Sequence, residues 1–229
     1  TINSLASLVE LLDGQAGQIC RVGIGTPGAW DSTAGVMKNC NSTWLNGRAL
    51  PRDLENILRR PLSIANDANC FALAEALTGA GTENSVVFGV IIGTGVGGGW
   101  VIDGKLIVGP NAIAGEWGHT PMPYIHSDLK DEGKIELLTE RSCYCGRVDC
   151  VERFLSGPGL SETHKLLTGK TLAAEQLVLE KEGRWSVTLY IKMLSRALAQ
   201  IINIMDPDVI VLGGGLSNIS RIYEEAPSL

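Results

Sequence analysis

The chain lacks several features that mark whole classes of protein. No apolar run approaches the roughly 20 residues that a membrane helix needs, and the first residues do not have the pattern of a secretory signal. Cationic residues are not in excess, since 19 Lys and Arg stand against 25 Asp and Glu, which argues against a surface for nucleic acid. With 229 residues, 45% of them hydrophobic, we expect a cytoplasmic globular protein with one large or two small cores and no membrane partner.

Cysteine is sparse over most of the chain and clustered in one place. Of the six cysteines, Cys143, Cys145 and Cys150 fall within "CYCGRVDC". In the reducing compartment that we expect, clustered thiols indicate a metal before a disulfide. The three thiols supply three ligands of a tetrahedral zinc, and the alternative is a set of free thiols in a surface loop. The remaining cysteines (Cys20, Cys40, Cys70) are expected to be buried.

The fourth zinc ligand must come from elsewhere, and the chain has only three histidines. His119 lies in "AGEWGHTPM", where a loop between glycines and a proline can aim its imidazole. His126 lies in a loop as well, and His164 is expected on the surface of a helix. We favour His119 and keep His126 as the alternative. A closed site of three cysteines and one histidine is structural and orders a loop that has few apolar residues.

Three glycine clusters follow apolar, strand-like segments. They are "GIGTPG" (23–28), "GTGVGGG" (93–99) and "GGG" (213–215). Strands that end in glycine-rich turns are typical of α/β proteins, which bind ligands at these strand ends. "GTGVGGG" offers backbone N–H groups to an anion, but it has no Walker-type lysine and precedes a strand instead of a helix. A purely structural turn is therefore the alternative.

Hydrophobic periodicity outlines the remaining elements. It predicts helices over 3–13, 53–60, 151–167, 174–182 and 186–205, and another helix directly after "LSIAND". "GGGWVIDGKL" predicts a hairpin that turns at Asp103 and Gly104. The pattern is that of two α/β lobes: residues 1–84 as the remainder of an N-terminal lobe, and residues 85–229 as a C-terminal lobe with the cysteine loop.

The segment "IANDANC" places two polar side chains between a strand and a helix. Either Asn66 or Asp67 is expected to cap this helix by accepting hydrogen bonds from its free N–H groups. Asp67 is also a candidate general base, held ionised by the helix N-terminus. The two roles are compatible, and a base beside a substrate hydroxyl typically raises a rate by about 10²–10⁴-fold.

Together these motifs resemble the ROK family (repressor, open reading frame, kinase), which contains sugar kinases and sugar-responsive repressors. The matching segments follow the order of the family: "NDAN" (66–69), "GTGVGGG" (93–99), "GEWGH" (115–119), "CYCGRVDCVE" (143–152) and "DPDVIVLGGGLSN" (206–218). "NSTWLNG" (41–47) and "AGEWGH" are most similar to the fructokinase (mannofructokinase) branch. The resemblance implies an α/β actin-like ATPase fold of the ribonuclease-H type, with two lobes and the active site in the cleft between them.

The resemblance also implies phosphorylation of a hexose by ATP, with fructose to fructose 6-phosphate as the first expectation. Asp67 would take the proton of the attacking hydroxyl. The residues expected to contact the sugar are Asn66, Glu116, His119, Glu152, Gly28 and Asn41. Those expected to contact ATP are Gly93, Thr94, Gly95, Gly97, Gly213, Gly214 and Gly215. Mg²⁺ is expected with ATP, but no protein ligand is assigned to it. Zinc is expected to hold His119 and Glu152 toward the sugar. The resemblance also favours a homodimer.

Some parts of the family pattern are not found in the sequence. A glycine-rich "DxGGT"-like hairpin and a C-terminal helix on the nucleotide side are missing, so we expect the chain to be a fragment of a longer protein. Asp149 stands where the family often has glycine, and the turn there is expected to differ. The alternatives are a kinase for N-acetylglucosamine, mannose or glucose, and a sugar-responsive repressor. Repressors tend to lose "NDAN" and the "GTG" loop, which this chain keeps.

Overall fold

The computed structural model describes residues 2–40, 42–123 and 138–229, and their contacts divide into two compact units. Unit 1 comprises Thr1–Cys70 and Val108–Ala114, and unit 2 comprises Phe71–Ile107 and Gly115–Leu229. The lobe boundary expected after residue 84 stays a prediction. In the part of the chain that is described, no helix has the length and apolar character needed to cross a bilayer.

Unit 1 is built around a parallel pair of strands. Its elements are α1 (Ile2–Ala16), β1 (Val22–Thr26), β2 (Ala29–Asp31), β3 (Val36–Lys38), a 3₁₀ helix at Thr43–Leu45, α2 (Leu50–Leu58) and β4 (Leu62–Asn66). β4 lies parallel to β1 in the register Thr26↔Asn66, so the two strands end at the same edge, and β2 and β3 form an antiparallel hairpin. The buried centre of this unit consists of Met37, Cys40, Leu45, Leu50 and Leu54.

Unit 2 contains a four-stranded mixed sheet. Its strands are β5 (Val86–Ile92), β6 (Val96–Ile102), β7 (Lys105–Ile107) and β8 (Val209–Gly213), in the order β7-β6-β5-β8 with β8 parallel to β5. The β6–β7 hairpin turns at Asp103 and Gly104, both left-handed (φ 49° and 70°), as the Asp-Gly pair predicts. The helices are α3 (Asp67–Thr78, in this unit from Phe71 onward), α4 (Glu152–Leu155), α5 (Gly157–Thr168), α6 (Ala174–Leu179), α7 (Arg184–Met205) and α8 (Ser220–Glu225).

The core of unit 2 joins the sheet to α7 and to the short helix α4. The ring of Phe88 stacks on Trp100, with 4.2 Å between the centroids, and meets the edge of Trp117 at 6.1 Å. Tyr190 of α7 is fully buried, and its hydroxyl donates a hydrogen bond to the Leu155 carbonyl at 3.0 Å. This bond satisfies a carbonyl at the end of α4, so the core fixes the helix that begins with Glu152.

The helix predicted over 151–167 is two helices. Ser156 has extended backbone (φ −79°, ψ 164°), and its side chain accepts a hydrogen bond from the Gly159 N–H as the N-cap of α5. Hydrophobic periodicity does not reveal this break, whereas Ser156 followed by Gly157 and Pro158 is a local signal for a new helix N-terminus. The short helix α8 after β8 was not expected either.

Two expectations about single residues are wrong. His164 lies on α5 but is only 1% exposed, because the helix turns it toward α7, where its Nδ1 is 2.9 Å from Ser186 Oγ. Of the three isolated cysteines only Cys40 is buried, whereas Cys20 is half-buried and Cys70 is exposed. Cys70 lies in the first turn of α3, on a side of the helix that the core does not cover.

Candidate active site and metal centre

Four side chains of unit 2 converge on one point. The ligand atoms of His119, Cys143, Cys145 and Cys150 all lie within 4.8 Å of one another. Cys143 Sγ is 3.6 Å from His119 Nδ1, and Cys145 Sγ is 3.6 Å from Cys150 Sγ. Zn–S bonds of about 2.3 Å in a tetrahedron separate two sulfurs by about 3.8 Å, whereas a disulfide needs about 2.05 Å. The four residues therefore fit a tetrahedral metal ion better than a disulfide.

A tight turn presents two of the cysteines. The Cys143 N–H donates to the Arg147 carbonyl at 2.8 Å, and the Gly146 N–H donates to the Cys143 carbonyl at 3.0 Å. Gly146 is left-handed (φ 87°), a conformation that glycine adopts without steric cost. Cys150 returns to form a β-bridge with Pro121, two residues after His119. The histidine and the third cysteine are thereby brought together by backbone pairing.

Asp149, which stands where the family pattern often has glycine, adopts a backbone conformation that is favourable for glycine. Its φ of 53° is left-handed, which for a non-glycine residue costs on the order of 1–2 kcal/mol. Its carboxylate offsets this cost by accepting hydrogen bonds from the N–H groups of Glu140 (3.0 Å) and Arg141 (2.9 Å). The Asp149 side chain therefore stabilises the turn before the third cysteine.

The "GEWGH" segment is clamped to β6. The Trp117 indole N–H donates to the Gly97 carbonyl at 2.8 Å. A Cβ at Gly118 would lie 2.1 Å from a carbonyl oxygen of β6, so only glycine permits this approach. The spacing of the motif thus fixes the backbone that carries Glu116 and His119.

The predicted sugar ligands of unit 2 lie near one tyrosine. Glu152 Oε2 accepts the N–H of the first residue of β6 at 2.9 Å and lies beside Gly95, where a Cβ would come within 2.8 Å. The hydroxyl of Tyr144 is 3.0 Å from His119 Nε2. Partial desolvation raises the pKa of Tyr144, and the carboxylates of Glu152 and Glu116 raise it further, although the residue is 70% exposed. Sequence reasoning missed Tyr144, and the only signal is its place between two cysteines.

A groove of about 780 Å³ lies in unit 2 between the β5–β6 turn, α5, α6 and a 3₁₀ helix at Gly215–Asn218. The Gly157 N–H at the start of α5 donates to the Gly93 carbonyl at 2.7 Å, which fixes the turn against the helix. This volume is within the range of about 300–1,000 Å³ that is typical of small-molecule sites. Of the residues predicted to contact ATP, the groove is lined by Gly93, Thr94 and Gly215.

The three glycines after β8 have different surroundings. A Cβ at Gly213 would lie 2.6 Å from the ring of Phe71, and a Cβ at Gly214 (φ 86°) would lie 2.5 Å from the Ile92 carbonyl oxygen. A Cβ at Gly215 would meet no atom within 4 Å. Close packing therefore explains the first two glycines, and open space at the groove explains the third.

In unit 1, two polar side chains meet at the start of α3. Asn66 Oδ1 accepts hydrogen bonds from the N–H groups of Ala68 (2.9 Å) and Asn69 (3.3 Å), and Asn66 Nδ2 donates to the Gly28 carbonyl (3.1 Å). Asp67 is exposed, and its Oδ1 accepts from the Ala68 N–H at 2.8 Å. Asn66 is thus the N-cap, and Asp67 opens the helix with its carboxylate facing solvent.

Gly28 is required by packing. It is left-handed (φ 74°), and a Cβ there would lie 2.5 Å from the Lys38 carbonyl oxygen and 2.6 Å from Cys40 Sγ. Its carbonyl accepts from Asn66, so it contributes to unit 1 through its backbone. Two further residues singled out from the sequence, Asn41 and His126, lie outside the described residues.

Comparison with known proteins covers the whole chain. A family model described as ROK family matches residues 1–229. An N-acetyl-D-glucosamine kinase from Vibrio cholerae is 39% identical over 231 residues, which cover 99% of this chain and 75% of that protein. One from Pectobacterium carotovorum is 36% identical over 232 residues, with coverage of 99% and 75%. A ROK hexokinase from Thermus thermophilus has a TM-score of 0.80 and 27% identity, covering 98% of this chain and 73% of that chain. Such neighbours have the actin-like ATPase fold, so the predicted fold is confirmed.

Proposed function

Because the chain belongs to the ROK family, we propose that it is a sugar kinase that transfers the γ-phosphoryl group of ATP to a hydroxyl of N-acetyl-D-glucosamine. The observation that carries the choice of sugar is the 39% identity over 99% of the chain to an N-acetyl-D-glucosamine kinase. The fructokinase reading of the sequence is not supported, because the curated relatives reported above are named for N-acetyl-D-glucosamine. N-acetyl-D-glucosamine therefore replaces fructose as the proposed sugar.

Asp67 is the proposed general base. Asn66 caps α3, and the hydrogen bond that Asp67 accepts from the Ala68 N–H is made by Oδ1. The other carboxylate oxygen of Asp67 can therefore face a sugar hydroxyl. Asp67 is the first residue of α3, and its carboxylate is the kind of group that accepts a proton from a hydroxyl in general base catalysis. In phosphoryl transfer such a residue mainly orients the attacking hydroxyl and accepts its proton, while the charge on the phosphates is stabilised elsewhere.

The proposed ligands of the sugar hydroxyls in unit 2 are Glu116, His119 and Glu152. Glu152 is held through Oε2 by the first N–H of β6, which leaves its other oxygen as an acceptor for a hydroxyl. His119 has its Nε2 at hydrogen-bond distance from the Tyr144 hydroxyl. A sugar hydroxyl bound at this nitrogen must therefore share it with Tyr144 or displace the phenol.

The groove of unit 2 is the proposed site of ATP. Its glycines, Gly93 and Gly215, permit close approach of the phosphates to backbone N–H groups, and Thr94 adds a hydroxyl donor. Mg²⁺ is expected to enter with the nucleotide and to neutralise its phosphates. No protein ligand for Mg²⁺ is assigned.

The Cys3His centre is the proposed site of a structural zinc ion. Three sulfurs and one imidazole complete a tetrahedron, so no position stays open for a reacting water. Zinc bound there joins the segment of His119 to the hairpin that precedes Glu152. Its contribution to phosphoryl transfer is therefore to hold sugar ligands in place, which is a form of preorganisation.

Two alanine substitutions in the same glycine run are expected to separate binding from packing. Gly215→Ala should raise the KM for ATP by about tenfold, equivalent to about 1.4 kcal/mol, because the methyl group enters the groove without touching the fold. Gly213→Ala should instead lower the free energy of unfolding by about 1–3 kcal/mol, because its methyl group overlaps the ring of Phe71. Steady-state kinetics and thermal unfolding of both variants test this; a destabilised Gly215→Ala with unchanged KM would contradict the proposed site.

The proposed reaction is tested by ADP release from the full-length protein that contains this chain, with ATP, Mg²⁺ and a panel of sugars. The panel contains N-acetyl-D-glucosamine, glucose, mannose and fructose, and kcat/KM is compared among them. The highest value with N-acetyl-D-glucosamine is the expected result. A higher kcat/KM with another hexose would change the proposed sugar but not the proposed kinase activity. The absence of turnover with every sugar would refute the kinase activity.

A further inference from the structure

Arg141 is a buried cation at the base of the cysteine hairpin. The residue is only 5% exposed, although arginine is rarely buried unless it is paired. Two of its nitrogens, Nε and Nη2, have no hydrogen-bond partner among the described residues. The contacts that it does make must offset the cost of removing a guanidinium group from water.

The guanidinium group grips the helix that begins with Glu152. Its Nη1 donates to the Arg153 carbonyl and to Thr163 Oγ1, both at 2.9 Å, and its carbon lies 4.3 Å from the centroid of the Phe154 ring. The Arg153 carbonyl lacks a partner within α4, because the Gly157 N–H that would reach it donates to the β5–β6 turn instead. Arg141 therefore satisfies an unpaired carbonyl at a helix C-terminus, where a cation is favoured.

The backbone of Arg141 grips the hairpin on both sides. Its N–H donates to Asp149 Oδ1 at 2.9 Å, and its carbonyl accepts from the Asp149 N–H at 2.9 Å. Arg141 lies two residues before Cys143, and Asp149 lies directly before Cys150. The pair thus closes the loop that presents the cysteines.

We propose that Arg141 is a positioning residue that fixes the hairpin of residues 141–150 to α4. It thereby holds the three zinc-binding cysteines of this hairpin at a fixed position relative to the Glu152 carboxylate. The inference rests on the proposed function, in which Glu152 binds a sugar hydroxyl. Lysine cannot replace Arg141, because an ammonium group has no planar face that lies on the ring of Phe154 while its N–H groups donate to the Arg153 carbonyl and Thr163 Oγ1.

The test compares zinc-loaded wild type with Arg141→Lys, using Arg52→Lys as the matched control because Arg52 is exposed on α2 in unit 1. Zinc release to the chelator 4-(2-pyridylazo)resorcinol is expected to be at least about tenfold faster in Arg141→Lys. The KM for N-acetyl-D-glucosamine should rise by about tenfold, with kcat within about threefold and the KM for ATP unchanged. A merely structural role would reduce the active fraction and hence kcat, and would leave the sugar KM at its wild-type value. Arg52→Lys should match wild type in every measurement.

A second variant, Asp149→Gly, keeps the left-handed turn but removes the carboxylate that holds Arg141. Asp149→Gly is expected to release zinc faster and to raise the KM for N-acetyl-D-glucosamine, as Arg141→Lys does. If Arg141→Lys does not fold, the results for Asp149→Gly test the role of Arg141. Wild-type release rates together with a wild-type sugar KM overturn the proposal, as does a wild-type protein that binds no zinc. If zinc binds but no sugar is phosphorylated, the proposed function fails and the release rates alone decide the role of Arg141.

Discussion

Replacing Asp67 by asparagine is expected to lower kcat for N-acetyl-D-glucosamine by about 10²–10⁴-fold, which corresponds to about 2.7–5.5 kcal/mol of activation free energy. An amide has the shape of the carboxylate but cannot take the proton of the attacking hydroxyl. Its oxygen can still accept the Ala68 N–H, which Asp67 Oδ1 accepts at 2.8 Å, so α3 should begin as before. Sugar binding, measured by calorimetry, should change by less than about threefold, because the interaction lost is that of the transition state.

The matched control for this variant is Asp103→Asn. Asp103 is also an aspartate at a turn, but it lies between β6 and β7 and has left-handed backbone (φ 49°), which asparagine tolerates. This control should retain wild-type kcat, and both variants should unfold at the wild-type temperature. A normal kcat for Asp67→Asn would remove Asp67 as the base while leaving the rest of the proposed site intact.

The elements that the sequence predicts well are those whose signal is local and long. β5, β8 and α7 each combine an uninterrupted apolar pattern with glycine or proline at a boundary, and the Asp103–Gly104 turn follows from the conformational preference of that pair. The β2–β3 hairpin was missed because each strand has only three residues. The break at Ser156 was missed because the prediction followed hydrophobic periodicity and passed over Pro158, although Ser156 accepts a hydrogen bond from the Gly159 N–H as an N-cap.

The candidate site divides in the same way. The cysteine cluster can be recognised in the sequence because three of its ligands lie within one short hairpin. The tight turn of this hairpin brings the three sulfur atoms close together. Arg141 was not selected, because its partners Arg153 and Thr163 belong to two later helices. Gly213 and Gly215 cannot be distinguished in the sequence. In the structure Gly213 packs against the ring of Phe71, whereas Gly215 lines the groove.

Replacing Cys145 by serine is expected to remove zinc from the protein and to lower its stability. A hydroxyl is a far poorer zinc ligand than a thiolate, so the variant keeps only three of the four donors that lie within 4.8 Å of one another. A metal present at about 1,000 times its Kd stabilises the folded state by about 4 kcal/mol, and a thousandfold loss of affinity forfeits most of that free energy of unfolding. Zinc content by inductively coupled plasma mass spectrometry and thermal unfolding measure the two effects.

Cys70→Ser is the matched control, because Cys70 is an exposed free thiol outside the cluster. It should keep one zinc ion per chain and the wild-type unfolding temperature. Treatment with EDTA should then lower the unfolding temperature of wild type and of Cys70→Ser to that of Cys145→Ser, and should leave Cys145→Ser unchanged. Such convergence assigns the lost stability to the metal and not to the serine itself, whereas equal zinc content in all three proteins would show that Cys145 is not a ligand. Since the hairpin leads directly into the helix of Glu152, zinc loss should also raise the sugar KM more than the KM for ATP.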